Sequence, residues 1–134
     1  MQSNDDFGKL VLRATLAILL LFHGVSKLAN GIDPIMGMVA KAGLPSAFAF
    51  LVYIGEVIAP LMILFGIWAR LGAVIVAINM IIAVALAHAS QIFTMGKTGG
   101  WALELQAFYF FTAVAVALLG AGSYSVGGRA GRLN

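Results

Sequence analysis

Between Ala47 and Trp68 the chain reads AFAFLVYIGEVIAPLMILFGIW, an apolar run long enough to cross a bilayer with one ionisable residue, Glu56, near its middle. A carboxylate at that depth costs several kcal/mol on insertion scales, so it faces a partner, the protein interior or a working cavity. Pro60 adds a second demand. It lacks the N–H that would bond the carbonyl four residues earlier, which belongs to Glu56 itself. Backbone and side chain of one residue therefore both need partners, which in lipid come from other helices, protected water or a ligand.

The surrounding composition agrees with a membrane setting. Of 134 residues, 62% are hydrophobic and 10% charged, far from the roughly one quarter charged that is usual in soluble domains. Apolar runs at Leu10–Leu28, Ala47–Trp68, Leu71–Ala89 and Trp101–Gly120 each approach the roughly 20 residues a span requires. They predict a single all-α membrane domain over residues 1–134: a four-transmembrane-helix bundle, with a short interfacial helix in the first outer loop and a tail at 121–134. An acidic flank (Asp5, Asp6) and Arg13 mark the first run as a permanent span rather than a cleaved signal.

The formal charge of +3 comes from a few Lys and Arg at helix ends; nothing resembles a nucleic-acid patch. Counting them by side gives Lys9, Arg13, Arg70, Arg129 and Arg132 against Lys27, Lys41 and Lys97. Positive charge stays inside, so both termini are expected in the cytoplasm and the two longer loops outside. The chain has no cysteine, which removes thiol–disulfide exchange and Cys-ligated zinc or iron–sulfur chemistry by the chain alone.

With that topology and a rise of roughly 1.5 Å per residue, His23, Glu56, His88 and Glu104 all fall in the outer half, Glu56 deepest at roughly 15 Å. Lys27, Tyr53 and Trp101 reach the same layer. The inner half looks like an apolar plug in which Arg13 snorkels to its end. Two carboxylates and two imidazoles from four helices are a chemically sufficient set for a divalent metal or for moving protons on a quinone headgroup. No HxxxH or ExxH spacing occurs on one helix, so the metal reading rests on convergence alone. Each group also has a plainer role. Glu56 with Lys27 or a histidine makes a structural ion pair, Glu104 is a first-turn carboxylate, and Asn79 and Gln106 are interhelical hydrogen-bonding groups. Asn79 and His88, nine apart, should point to nearly opposite sides of an ideal helix.

Several segments, in order, resemble the DoxX family: FHGVSKL at Phe22–Leu28, GLP at Gly43–Pro45, GEVIAPLMILFGIWARLGA at Gly55–Ala73, GGWALELQ at Gly99–Gln106 and GAGSYS at Gly120–Ser125. The chain departs from the family pattern at Gly127, where many relatives carry an acidic residue. The resemblance implies a multi-pass protein of a bacterial-type inner membrane, four spans with cytoplasmic termini, and association with quinone-linked oxidoreductase systems, such as thiosulfate:quinone oxidoreductase, or with membrane complexes handling oxidative stress. Lys27, Glu56 and Glu104 match the family's recurrent polar positions.

The expectation is therefore a small membrane subunit of a quinone-linked redox system. Glu56 is its candidate proton acceptor, with His23 and His88 as catalytic lining, and Lys27, Tyr53, Trp101 and Glu104 bind a quinone cofactor. Its partners are the lipid bilayer, a soluble or membrane oxidoreductase and a second copy of itself. Two other classes stay open: a non-enzymatic scaffold whose polar residues lock helix packing, and, with less in its favour, a small-molecule transporter. The spans contain no convincing inverted repeat.

Overall fold

A computed structural model describes residues 2–134 as an all-helical chain, apart from one isolated bridge between Met95 and Trp101. Helix α1 runs Gln2–Asn30, α2 Asp33–Lys41, α3 Ser46–Phe65, α4 Ala69–Gln91 and α5 Glu104–Leu119. Three of these, α1, α3 and α4, are long and apolar enough to cross a membrane. The last, α5, is equally apolar but has 16 residues, because the chain reaches Leu103 in turns rather than helix. The fourth expected span thus begins at Glu104 instead of Trp101.

Helices α1, α3, α4 and α5 pack around one core. It is built from Leu16, Ala17 and Leu20 of α1, Ala59 and Ile63 of α3, Ala73 and Val76 of α4, and Ala113 and Val116 of α5. Four of these nine are alanines, which let backbones approach: lipid is as apolar as leucine, so close dispersion contact rather than water exclusion holds such helices together. The large apolar side chains turn outward, Phe22, Phe108 and Leu118 among the most exposed.

Two of the long helices widen locally. In α3, Ile54–Ile58 is a π turn in which the Ala59 N–H reaches back five residues to the Ile54 carbonyl. Pro60 explains it: its ring crowds the carbonyl of Glu56 and it has no N–H to offer, so the wider turn absorbs the mismatch. A second π turn, Val84–His88, lies in α4, and no proline or glycine accompanies it. Helix α3 stops at Phe65 because Gly66 takes a left-handed conformation (φ 70°), so Trp68 lies outside the span expected to include it.

The two ends of the bundle differ. At one end, called here the tail end, residues 121–134 fold back over the helix termini, and α1 is helical from Gln2, well before Leu10, where the first span was expected to begin. Arg13 does not snorkel. It is fully buried, and its guanidinium donates to the carbonyls of Ile63 (2.7 Å) and Leu64 (3.0 Å), at the end of α3, and of Ala121 (3.0 Å) and Tyr124 (2.5 Å) in the tail. Helix C-termini carry roughly half a negative charge, so these carbonyls answer the cation without a carboxylate. Arg70 does the same for α5, donating to Ala117 and Leu118 at 3.0 Å. The orphan N–H groups at the start of α4 are met from the tail: Ala69 donates to the Asn134 side-chain oxygen (2.9 Å) and Arg70 to the Leu133 carbonyl (2.8 Å). Asp6 accepts from the Ser123 hydroxyl (2.8 Å), so α1 is tied to the same cap.

Removing the guanidinium leaves several buried carbonyls without donors. Arg13→Ala is expected to destabilise the purified protein by about 3 kcal/mol or more, and Arg13→Lys to recover only part of it. Thermal unfolding in detergent micelles reads both; midpoints equal to the parent's would show that the cap does not hold the bundle.

Candidate functional site

At the opposite, loop end, Glu56 sits in the π turn of α3 with its side chain buried. The wider turn and the small residues around it bring three helices together. Gly24 of α1 lies directly against the Glu56 carbonyl, the one Pro60 leaves free, and a Cβ there would overlap the oxygen. Gly55 makes the matching space on the other side, where a Cβ would run into the Asn79 amide of α4.

These approaches let the side chain find partners. Lys27, one turn beyond Gly24, donates from Nζ to Glu56 Oε1 in a short, part-buried ion pair. Asn79 Nδ2 donates to the other oxygen, Oε2, at 3.4 Å. Tyr53 donates its hydroxyl to the Lys27 carbonyl (3.2 Å), which fixes the end of α1 from which the ammonium projects. A carboxylate within an apolar run is thus neutralised by α1, oriented by α4 and carried by α3, the requirement set by its desolvation.

The cluster opens on one side into a cavity of about 500 Å³ between α1, α3, α4 and the overlying α2. Its polar lining is Lys27, Glu56, Asn79 and His88; the rest is apolar, with Met38 and Val39 of α2 as roof and Ile75, Ile78 and Leu86 of α4 as wall. That size is within the range of sites that enclose a small organic molecule, and a few convergent polar groups on apolar walls is their usual construction. Towards the tail end the packed core closes the bundle: Ala59, Ile63, Ala73 and Val76 are all inaccessible. No polar route continues through it among these residues.

The expected site residues therefore separate into two groups. Lys27, Glu56 and His88 meet at the cavity, with Tyr53 behind them. His88 also contacts Gln91, with 3.0 Å between Nδ1 and the side-chain oxygen. His23 turns away to the α5 side, its ring edge-on to Tyr109 at 6.0 Å between centroids. Trp101 and Glu104 do not line the cavity either. Trp101 donates its ring N–H to the Ile92 carbonyl (2.6 Å), and Glu104 is exposed beside Gly100. Among the described residues no three His, Asp or Glu side chains group closely enough to hold a metal, so the four-residue metal set does not assemble.

Asn79 is the site residue that sequence reasoning placed elsewhere. Ideal helical geometry sets it opposite His88, yet both line one cavity. The π turn at Val84–His88 accounts for this: it fits an extra residue into a turn and rotates everything beyond it back by about 100°. The usable signal was the pairing of small Gly55 with Glu56, which marks the face that a neighbour's polar side chain can reach.

In comparisons with known proteins, the DoxX family model matches residues 8–89, which include every polar residue lining the cavity. A protein of Bacillus subtilis (strain 168) named "Putative oxidoreductase CatD" is 30% identical over 84 residues, or 63% of this chain and 62% of that one. The chain thus spans less than two thirds of that relative's length. No solved structure matches.

If the fit at Gly24 is what allows α1 to reach Glu56, then Gly24→Ala should cost about 2 kcal/mol through overpacking. Gly37→Ala, on the open face of α2 with nothing within 4 Å, should cost nothing. Chemical unfolding in mixed micelles distinguishes them; equal stabilities would contradict the close approach.

Proposed function

This chain belongs to the DoxX family, and from that premise we propose that it is a small four-span membrane subunit of a quinone-linked oxidoreductase or redox-stress system. The cavity beside Glu56 would take the quinone headgroup. The observation that carries this reading is the composition of that cavity: apolar walls with a buried carboxylate, an ammonium, an amide and an imidazole at one side.

Several features support the topology. Residues 6 and 123 bond to each other, so the two ends of the chain lie on one face, as an even number of crossings requires. At roughly 1.5 Å per residue α5 is about 24 Å long, a shortfall against a core of roughly 30 Å that local thinning and flanking turns accommodate. The balance of Lys and Arg favours the tail end as the cytoplasmic one, in an inner membrane of bacterial type. The cavity then faces outward.

A bound quinone supplies a two-electron, two-proton acceptor. The residues of this chain would bind and orient it. Lys27 and Asn79 present N–H donors suited to ring oxygens, Glu56 is the group able to hold a proton at the headgroup, and His88 is a polar contact farther along the wall. The apolar roof and walls keep water from the ring. Electrons would come from an oxidoreductase partner, consistent with the name of the Bacillus relative. His23, Trp101 and Glu104 have no part in this version of the site.

A second reading is favoured by one observation: Lys27, Glu56 and Asn79 already bond to one another across three helices. The cluster would then lock packing in a scaffold or assembly factor. The two readings diverge on one experiment. With a ubiquinone analogue carrying a short tail, the quinone reading expects the purified protein's thermal midpoint to rise by several degrees at saturation, and Glu56→Gln to abolish that rise. A Glu56→Gln variant that is merely less stable, with no analogue effect on the parent, would favour the scaffold and remove the quinone.

A further inference from the structure

The cavity beside Glu56 is larger than a single ring needs. An engineered apolar cavity of about 150 Å³ holds benzene; this one, at about 500 Å³, has room for a ring and the first segment of something attached to it. Its shape says where that segment goes. Helices α3 and α4 pack against each other from the level of Glu56 and Asn79 towards the tail end. Towards the loop end α2 fits between the start of α3 and the second π turn of α4. The hollow is thus a wedge, with Lys27, Glu56 and Asn79 at its polar side and α2 as its roof. One side is left uncovered. Leu51 and Ile54 of α3 form one lip, Ile78 and Ile82 of α4 the other, and all four both line the cavity and are exposed.

Depth decides what these lips are exposed to. Helix α4 has 23 residues, and Ile78 and Ile82 lie near its middle, roughly 14 and 20 Å from its tail end. At that level the surroundings are acyl chains, not water. Spaced four apart, the two isoleucines share one helix face and make a continuous apolar edge. A side chain exposed to lipid is ordinary in a membrane helix, but each lip residue is also cavity wall, so cavity and lipid are continuous between them. A polar or water-borne group on that path would meet only Leu and Ile and would lose its hydration, whereas an aliphatic chain has none to lose.

We propose that the ligand of this cavity carries an aliphatic or isoprenoid chain, which leaves between Ile54 and Ile78 into the membrane, so that the headgroup enters sideways from the bilayer. The chain route presupposes the quinone reading of the cavity and adds to it the membrane-borne form of the ligand and the residues that pass its tail.

The full chain in detergent micelles is titrated with the ubiquinone ring lacking a chain and with the same ring bearing a decyl chain, each expressed as its mole fraction in the micelle so that partition is removed. Both are expected to raise the parent's thermal midpoint with saturation. Ile78→Trp, which fills the gap between the lips, should raise the half-saturating fraction of the decyl compound about ten-fold, the scale that overpacking gives, and leave that of the chainless ring unchanged. Ile54→Trp fills the gap from the opposite lip and should do the same, so the test stands if one variant folds poorly; the midpoints without ligand report folding. Ile81→Trp, exposed on α4 but outside this cavity, should change neither compound. Lip variants that weaken both compounds alike, or neither, would overturn the side route and leave the quinone in place. A parent that responds to neither compound would remove the quinone reading and the chain with it.

Discussion

A buried carboxylate in a membrane helix has few ways to exist, and the contact between Glu56 and Lys27 is the one this chain uses. The pair sets how α1 and α3 lie against each other, since Lys27 reaches Glu56 only if Gly24 can sit on the Glu56 carbonyl. That carbonyl is free to be approached because Pro60 offers it no N–H, and the π turn places the acidic side chain inward. Asn79 then completes the carboxylate through the space Gly55 leaves. Each of these small-residue contacts has meaning only with the charge at its centre. The cavity follows, because α2 roofs the gap left where the helices gather around the pair rather than around a packed apolar layer.

The tail end solves the opposite problem with a cation. Carbonyls at the end of α3 and in the tail surround Arg13 and accept from its guanidinium. Arg70 donates to carbonyls at the end of α5 in the same way, while the Asn134 side-chain oxygen accepts from the Ala69 N–H at the start of α4. The result is a bundle sealed by backbone hydrogen bonding at one end and by a charged pair beside a cavity at the other. That difference gives the molecule a direction.

How much of this could be read from residues alone depended on whether the cause was local. The apolar runs, the odd carboxylate and the proline that frees its carbonyl are local, so the all-helical architecture, the short helix at Asp33–Lys41 and the partnership of Glu56 with Lys27 were legible. Register was not. The π turn in α4 has no proline or glycine to announce it, and it alone brings Asn79 and His88 to one cavity. Arg13 lies close enough to its helix end to snorkel by counting residues. Only the folded tail, a contact between positions more than a hundred residues apart, makes burial the better outcome. His23 and Glu104 share a level with Glu56 but not a side, because depth follows from rise along the helix and convergence from rotation about it.

The redox role proposed above rests on membership of the DoxX family and on a cavity that pairs apolar walls with Lys27, Glu56, Asn79 and His88. All of it presupposes that Lys27 and Glu56 interact. A double-mutant cycle with Lys27→Met, Glu56→Gln and the double variant, read as unfolding free energy in micelles, tests this most directly. Each single change should cost about 3 kcal/mol by stranding its partner, and the double variant should fall short of the sum by about 2 kcal/mol. Costs that add to within about 0.5 kcal/mol would mean that the two side chains do not meet, and the cavity described here would lose its polar side.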